Sequence, residues 1–346
     1  MNFYFIFFLL PLFFVFNFLL RKNNLISNYS GQKHQKFFGK TNIPLSGGFF
    51  LFCIINLVLY ENYPTFCIFF SLLFLVGFVA DINFIESPKI KFLLQVTLIF
   101  VFVYVSKLDI GSTRIYILDL FLENIIFSYF FIIFCFVTVI NGTNFIDGLN
   151  GLVLGYYLAI ICVLFKLDLL SVVIAENHLI IFLILSLAFL LLLNILEHLY
   201  LGDSGAYSIA FLVSFLLILI NKNSVYISPF FIILMLWYPC FENLFSILRK
   251  FRFKRSPLLP DSNHLHQLIF ILLKKKTKIN QKYLNNFSSF IILSYNIIIF
   301  YLASLNIGNT QYQILLVIFN IVIYLIAYSR ILLFLTNNKN FVKLDN

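Results

Sequence analysis

Eleven apolar runs, each close to the length that crosses a bilayer, leave this chain few ways to fold. They cover residues 2–20, 44–60, 64–80, 90–106, 123–140, 152–167, 177–194, 205–221, 226–248, 285–306 and 312–335. A hydrocarbon core about 30 Å thick takes roughly 20 mostly apolar residues as a helix. Inside it, backbone N–H and C=O groups must find their partners within the protein. Of the 346 residues, 62% are hydrophobic and 11% charged, against about 25% charged in a soluble domain. The expected fold is all-α: a polytopic membrane helix bundle of about eleven transmembrane helices, forming a single integral membrane domain over 1–346. Residues 114–122 read as an interfacial segment. The longest hydrophilic stretch, 249–284, is too short for a core of its own and has to pack on the bundle or the bilayer surface. The first run lacks a basic leader and a small-residue cleavage site, and so reads as a retained span.

The net charge of +10 invites a nucleic-acid reading, but the distribution of the charges argues against it. With eleven crossings, only Lys107, Arg114, Lys166 and Lys222 of the 24 Lys and Arg fall on one side. The other twenty flank the loops of the opposite side. That bias makes the second side cytoplasmic, with the N-terminus outside and the C-terminus cytoplasmic. The expected partner is therefore membrane lipid, with no nucleic acid. Five Cys (Cys53, Cys67, Cys135, Cys162, Cys240) lie in or beside apolar runs without CxxC spacing. They read as small buried hydrophobes, with no disulfide framework or zinc site.

Almost every residue able to do chemistry falls in the loops of the cytoplasmic side, within 40–270. The first loop carries Pro44-Leu45-Ser46-Gly47-Gly48. Asp81 ends the third run, where it could simply pair with Lys89 or Lys91. The stretch Asn141-Gly142-Thr143-Asn144-Phe145-Ile146-Asp147-Gly148-Leu149-Asn150-Gly151 is longer than a turn needs. Its glycines, Gly148 among them, let backbone approach a ligand. Asn141 and Asn144 offer donors and acceptors, and Asp147 can bind a hard cation. In Gly202-Asp203-Ser204-Gly205, Asp203 reads equally as a helix cap or as a metal ligand beside amides that could meet a phosphate. The last loop opens with Arg249, Lys250, Arg252, Lys254 and Arg255, and continues to Pro260-Asp261-Ser262-Asn263-His264-Leu265-His266. Its basic start also serves topology and anionic lipid. Carboxylates without clustered thiols or histidines favour Mg²⁺, with Mn²⁺ as the alternative, over zinc. A divalent ion with basic residues and glycine loops suits phosphoryl chemistry, and its place at the membrane surface points to a lipid phosphate as one substrate.

Taken in order, five elements between about residues 40 and 270 resemble one family. They are Pro-x-x-Gly-Gly, Gly-x-x-x-Asp with a following Lys and Gln, Asn-x-x-Asn-x-x-Asp-Gly-x-x-Gly-Leu, Leu-Gly-Asp-x-Gly and Ser-Pro-x-x-Pro-Asp-x-x-His-Leu-His. The family is the polyprenyl-phosphate N-acetylhexosamine-1-phosphate transferases (glycosyltransferase family 4), bacterial inner-membrane enzymes that start O-antigen, enterobacterial common antigen and teichoic acid synthesis. It includes the phospho-MurNAc-pentapeptide transferase, although the last loop is more similar to the GlcNAc-type branch. The resemblance implies attack of undecaprenyl phosphate on the β-phosphorus of a UDP-N-acetylhexosamine, with Mg²⁺ and release of UMP. It implies that Asp203 and Asp81 hold metal, and that Asp81, Asp147, His264 and His266 are catalytic. Asn141, Asn144, Gly148, Asn150, Arg255 and Asp261 would bind substrate. It leaves a homodimer open.

Three positions depart from the family pattern. Ala80 stands where the family usually has the first of two Asp, and Asn150 where it often has Asp. Glu242 stands where a Pro-x-x-Asp ending is common. Two competing classes are a non-catalytic relative, marked by Ala80, and a transporter. Transporters gather polar groups near the midplane, whereas here they lie at one rim.

Overall fold

Helix Gly202–Asn223 is the axis of the structure. In the computed structural model, which describes residues 3–27, 43–252, 254, 256 and 263–337, 89% of its 18-residue apolar stretch is buried by its neighbours. It is the ninth of thirteen helices among the described residues. Before it come α1 (Phe3–Lys22), α2 (Gly47–Leu59), α3 (Pro64–Asp81), α4 (Pro88–Ser106), α5 (Tyr116–Leu122), α6 (Ile125–Ile146), α7 (Leu152–Lys166) and α8 (Asn177–Ile195). After α9 itself come α10 (Pro229–Arg252), α11 (Leu265–Lys276), α12 (Gln281–Ser304) and α13 (Thr310–Asn337). The sequence of α9 accounts for its place. It is apolar all round, which suits a helix enclosed by others. Ser204, Gly205, Ala206, Ser208, Ala210 and Ser214 are small and buried, so neighbouring backbones can come close.

Helices α2, α3 and α6 pack directly on α9, and α4 closes the gap between α3 and α6. Beyond them α10 lies on α6, α12 bridges α7 and α10, and α13 covers α10 and α11. The outer helices face outward with apolar side chains: α4 is 22% and α13 17% buried. Such exposed Phe, Leu and Ile surface belongs in lipid, and the chain is a multi-pass membrane protein.

Each of the eleven apolar runs has its helix, but eight of the described helices are long and apolar enough to span. Helices α2 and α7, at 13 and 15 residues, reach only about 20 Å at ~1.5 Å per residue. The short α5 is separate from α6, as an interfacial segment would be. Two boundaries differ from the sequence reading. Residues 141–146 are not loop but the last turns of α6, held by Asn141 Nδ2 to Val137 O at 2.9 Å and Thr143 Oγ1 to Val139 O at 2.7 Å. These polar side chains bond back to their own helix, so it continues past the apolar run. Likewise Gly202 to Gly205 open α9 and do not precede it. The described part of the 249–284 stretch packs on the bundle through α11, whose Leu265, His266, Leu268 and Phe270 are buried.

The α6–α10 crossing explains how the core tolerates Pro239 within α10. Proline has no N–H, so the carbonyl four residues back loses its helical donor. That carbonyl, Met235 O, accepts from Tyr156 Oη of α7 at 2.8 Å. On the other side Gly142 of α6 lies so close that a Cβ there would stand 2.1 Å from Pro239 O. Gly142→Ala should therefore over-pack the crossing and cost about 1–3 kcal/mol. The single Trp, Trp237, reports on α10, so fluorescence melting in detergent measures the loss. An unchanged melting temperature would show that the crossing is looser than described.

Candidate active site

The first turn of α9 leaves backbone N–H groups that need acceptors. The acceptor comes from another helix. Asp81, the last residue of α3, takes Asp203 N on Oδ1 at 2.7 Å, and Ser204 N at 3.1 Å and Ser204 Oγ at 2.6 Å on Oδ2. A helix N-terminus favours an anion at this place. The close approach depends on two glycines. A Cβ at Gly77, one turn before Asp81, would stand 2.4 Å from Ser204 Cα, and a Cβ at Gly202 would stand 2.7 Å from Asp81 Oδ2. Gly202 also has φ +74, a conformation that only glycine adopts without strain.

With Asp81 engaged at α9, the lysine near it pairs elsewhere. Lys91 Nζ lies 2.9 Å from Asp203 Oδ2, not on Asp81. Tyr207, one turn further along α9, donates to the same oxygen at 3.3 Å and also bonds Gln95. Gln95 Oε1 accepts from Asn141 Nδ2 at 3.1 Å, which ties the α9 end to the end of α6. Asn144 lies half-buried one turn on from Asn141.

Asp147 follows directly on α6 and is half-buried. Burial, and then the negative charge of Asp203, push its carboxyl up to about 7, so the two carboxylates sit within electrostatic reach. The turn after it is pinned from two sides: Asn150 N donates to Asn285 Oδ1 at 2.7 Å, and Gly151 N to Asn194 Oδ1 at 2.5 Å. The Asn150 side chain is buried with its Oδ1 unpartnered. Gly148 gives the turn a second contact, since a Cβ there would meet His266 Nε2 at 2.8 Å.

His266 is fully buried and neither ring nitrogen has a partner. Burial, and then the neighbouring His264, push its pKa down to about 3, so it is neutral. His264 stacks on it with centroids 5.7 Å apart and lies 5.2 Å from the Phe145 ring of α6. Lys250 Nζ covers the same Phe145 ring at 5.5 Å. His264 Nδ1 is 2.9 Å from Glu242 Oε1 of α10.

Three segments far apart in sequence thus meet at one end of the bundle: the α9 N-terminus with Asp81 and Lys91, the α6 end with Asp147, and the histidine segment with Glu242. Among the residues expected from sequence, Asp81, Asp203, Asn141, Asp147, Gly148, His264 and His266 are linked by these contacts. Arg255 and Asp261 lie outside the described residues. The sequence reading included Gln95 only as the Gln of its second motif and did not single out Tyr207; of the two lysines it offered as partners of Asp81, Lys91 meets Asp203 instead. The helical offset of four between Lys91 and Gln95 puts both on one face of α4.

Among the described residues no three of His, Cys, Asp and Glu gather as a metal cage. Mg²⁺ usually keeps water and phosphate ligands and needs only one or two carboxylates. Asp203 and Asp147, a mutually repelling pair, fit that need. Asp81, with both oxygens already accepting from α9, fits it less well.

Residues 63–221 match the model of glycosyl transferase family 4, the family that the loop motifs resemble. That stretch includes Asp81, Lys91, Asp147 and Asp203, while Glu242 and the histidines lie beyond it. No curated protein matches the chain.

If Asp81 is chiefly the cap of α9, Asp81→Asn places an amide NH₂ against N–H donors. The loss should be about 1–3 kcal/mol in thermal melts of metal-free protein. A residue acting only as a metal ligand would leave that melt unchanged or raise it.

Proposed function

We propose that this glycosyl transferase family 4 chain moves N-acetylhexosamine-1-phosphate, with GlcNAc-1-phosphate as the first candidate, from a UDP-sugar to undecaprenyl phosphate. The reaction would start a cell-envelope glycan at the cytoplasmic rim of a bacterial inner membrane. We place the motif-bearing rim inside, through eleven crossings with the short α2 and α7 among them. The observation that carries the reading is the junction of Asp203, Asp147, Lys91 and the two histidines at one end of the bundle. The family match supports it independently.

In this reaction a lipid phosphate oxygen forms a bond to the β-phosphorus of the donor. The bond from that phosphorus to the bridging oxygen breaks, and UMP leaves with the electron pair. The nucleophile is already ionised near neutral pH and needs no strong base, so the protein must chiefly position phosphates and offset their charge. Asp203 and Asp147 would hold Mg²⁺, or Mn²⁺, which when bound neutralises charge on the diphosphate.

Lys91, 2.9 Å from Asp203, keeps a cation next to the place where phosphate oxygens would lie. Asn144, the unpartnered Oδ1 of Asn150 and the backbone at Gly148 would provide donors and acceptors for nucleotide and sugar. Arg255 and Asp261 complete the substrate contacts on sequence grounds. Asp81 acts through α9, fixing the main chain that carries Asp203.

The test is a screen of UDP-sugars with membranes bearing the protein, undecaprenyl phosphate and Mg²⁺, reading UMP release and labelled lipid. UDP-GlcNAc or a close epimer should yield both, and chelation should abolish them. Asp203→Asn should cut turnover by about 10²–10³, the size expected when a group that stabilises developing charge is lost. No UMP from any UDP-N-acetylhexosamine would sink the assignment.

A further inference from the structure

The histidine segment has its own support, and it comes from helices outside the matched region. Glu242 of α10 is 0% exposed, and three donors converge on it. Leu265 N reaches Oε1 at 3.3 Å, Tyr324 Oη of α13 reaches Oε2 at 2.7 Å, and His264 Nδ1 lies 2.9 Å from Oε1. A buried carboxylate that receives a main-chain N–H, a phenol and an imidazole is held as the anion, and an ionised carboxylate accepts hydrogen bonds but cannot donate them. The proton between Glu242 and His264 therefore resides on Nδ1. A second clamp acts on the residue before: Arg249 NH1 donates to Asn263 O at 2.6 Å and to Tyr328 Oη of α13 at 2.8 Å.

We infer that Glu242, oriented by Tyr324, is a positioning residue that fixes the Nδ1–H form of His264 and leaves Nε2 as the acceptor nitrogen. This rests on the transferase reading for its role in turnover, but not for the tautomer itself. The rings of Phe145 and His266, at 5.2 and 5.7 Å, hold the imidazole plane from its faces, so rotation about the side chain is restrained as well. His266 is differently placed. It lacks any acceptor for its own ring nitrogens among the described residues, so the two histidines two residues apart are not equivalent. Outer-shell partners that orient metal-bound histidines commonly matter by about 10- to 100-fold in activity, and the same scale is expected for a partner that fixes the His264 ring.

Histidine ¹⁵N NMR of the full chain in detergent reads the tautomer directly. His264→Gln assigns the signal among the five histidines. The expected result is a proton-bearing Nδ1 at His264 in the wild type, lost or exchanged for the Nε2–H form in Glu242→Gln. In that variant turnover should fall by about 10- to 100-fold, with the KM for the sugar nucleotide nearly unchanged. Tyr324→Phe keeps the carboxylate and loosens it, so it should move both readouts the same way by a smaller factor. It also serves if Glu242→Gln does not fold. A wild-type His264 protonated on Nε2 alone would overturn the inference. So would a Glu242→Gln protein that keeps both the Nδ1 signal and full turnover. If no UDP-sugar is turned over at all, the transferase reading fails while the NMR result still decides the tautomer.

Discussion

A helix that begins inside a membrane bundle has N–H groups that water cannot reach, and leaving them unpaired is costly. The way α9 meets this constraint shapes the end of the molecule where the chemistry gathers. Asp81 supplies the acceptors from α3, which forces α3 and α9 together. That is feasible because Gly77 and Gly202 have no Cβ to collide with Ser204 or with the Asp81 carboxylate. Once capped in this way, the main chain of Asp203 cannot move independently of α3. Its side chain then meets Lys91 of α4 and Tyr207 of α9 itself. The position of the Asp203 carboxylate thus follows from a backbone requirement.

The same solution recurs at α11. Its first residue, Leu265, donates its N–H to Glu242 of α10, as Asp203 and Ser204 donate to Asp81. In both cases a carboxylate on one helix holds the opening turn of another, and a residue with chemical potential stands beside the held turn: Asp203 in one, His264 in the other. The small residues that allow this are Gly48, Gly77 and Gly202 around α9, and Gly148 against His266. Each permits a contact that any side chain would block.

Composition and apolar run length were enough to give the helical, membrane-embedded architecture. The glycine- and amide-rich segments drew attention to the residues that the structure gathers at one end of the bundle, because such residues are poor choices for a lipid-facing surface. Pairing was not legible. Lys91 and Asp203 are 112 residues apart, and Tyr324 and Glu242 are 82 apart. A chain apolar on all faces gives little directional signal to say which helices meet. Sequence proximity offers Lys89 or Lys91 to Asp81, but the α9 N-terminus claims that carboxylate and Lys91 pairs with Asp203. The end of α6 was misread for a related reason. Asn141 and Thr143 look like turn formers, but in a bundle they can bond back to Val137 and Val139 and extend the helix.

Ala80 acquires a physical meaning from this arrangement. It is 5% exposed, so a carboxylate in its place would need its own buried partner or would add charge to an end that already carries Asp81, Asp147 and Asp203. Asp81 is satisfied by three donors and Asp203 by Lys91. Asp147 feels the repulsion of Asp203, as Asp81 does, but no donor reaches its carboxylate among the described residues. Under the proposed reaction, one carboxylate without a donor beside an ion pair would suit a single cation, and a diphosphate arriving with that cation would restore the balance. An anion at position 80 would shift this balance further negative without a ready donor. Its replacement by alanine is therefore compatible with a working site, provided that Asp203 and Asp147 carry the cation and Asp81 remains committed to α9.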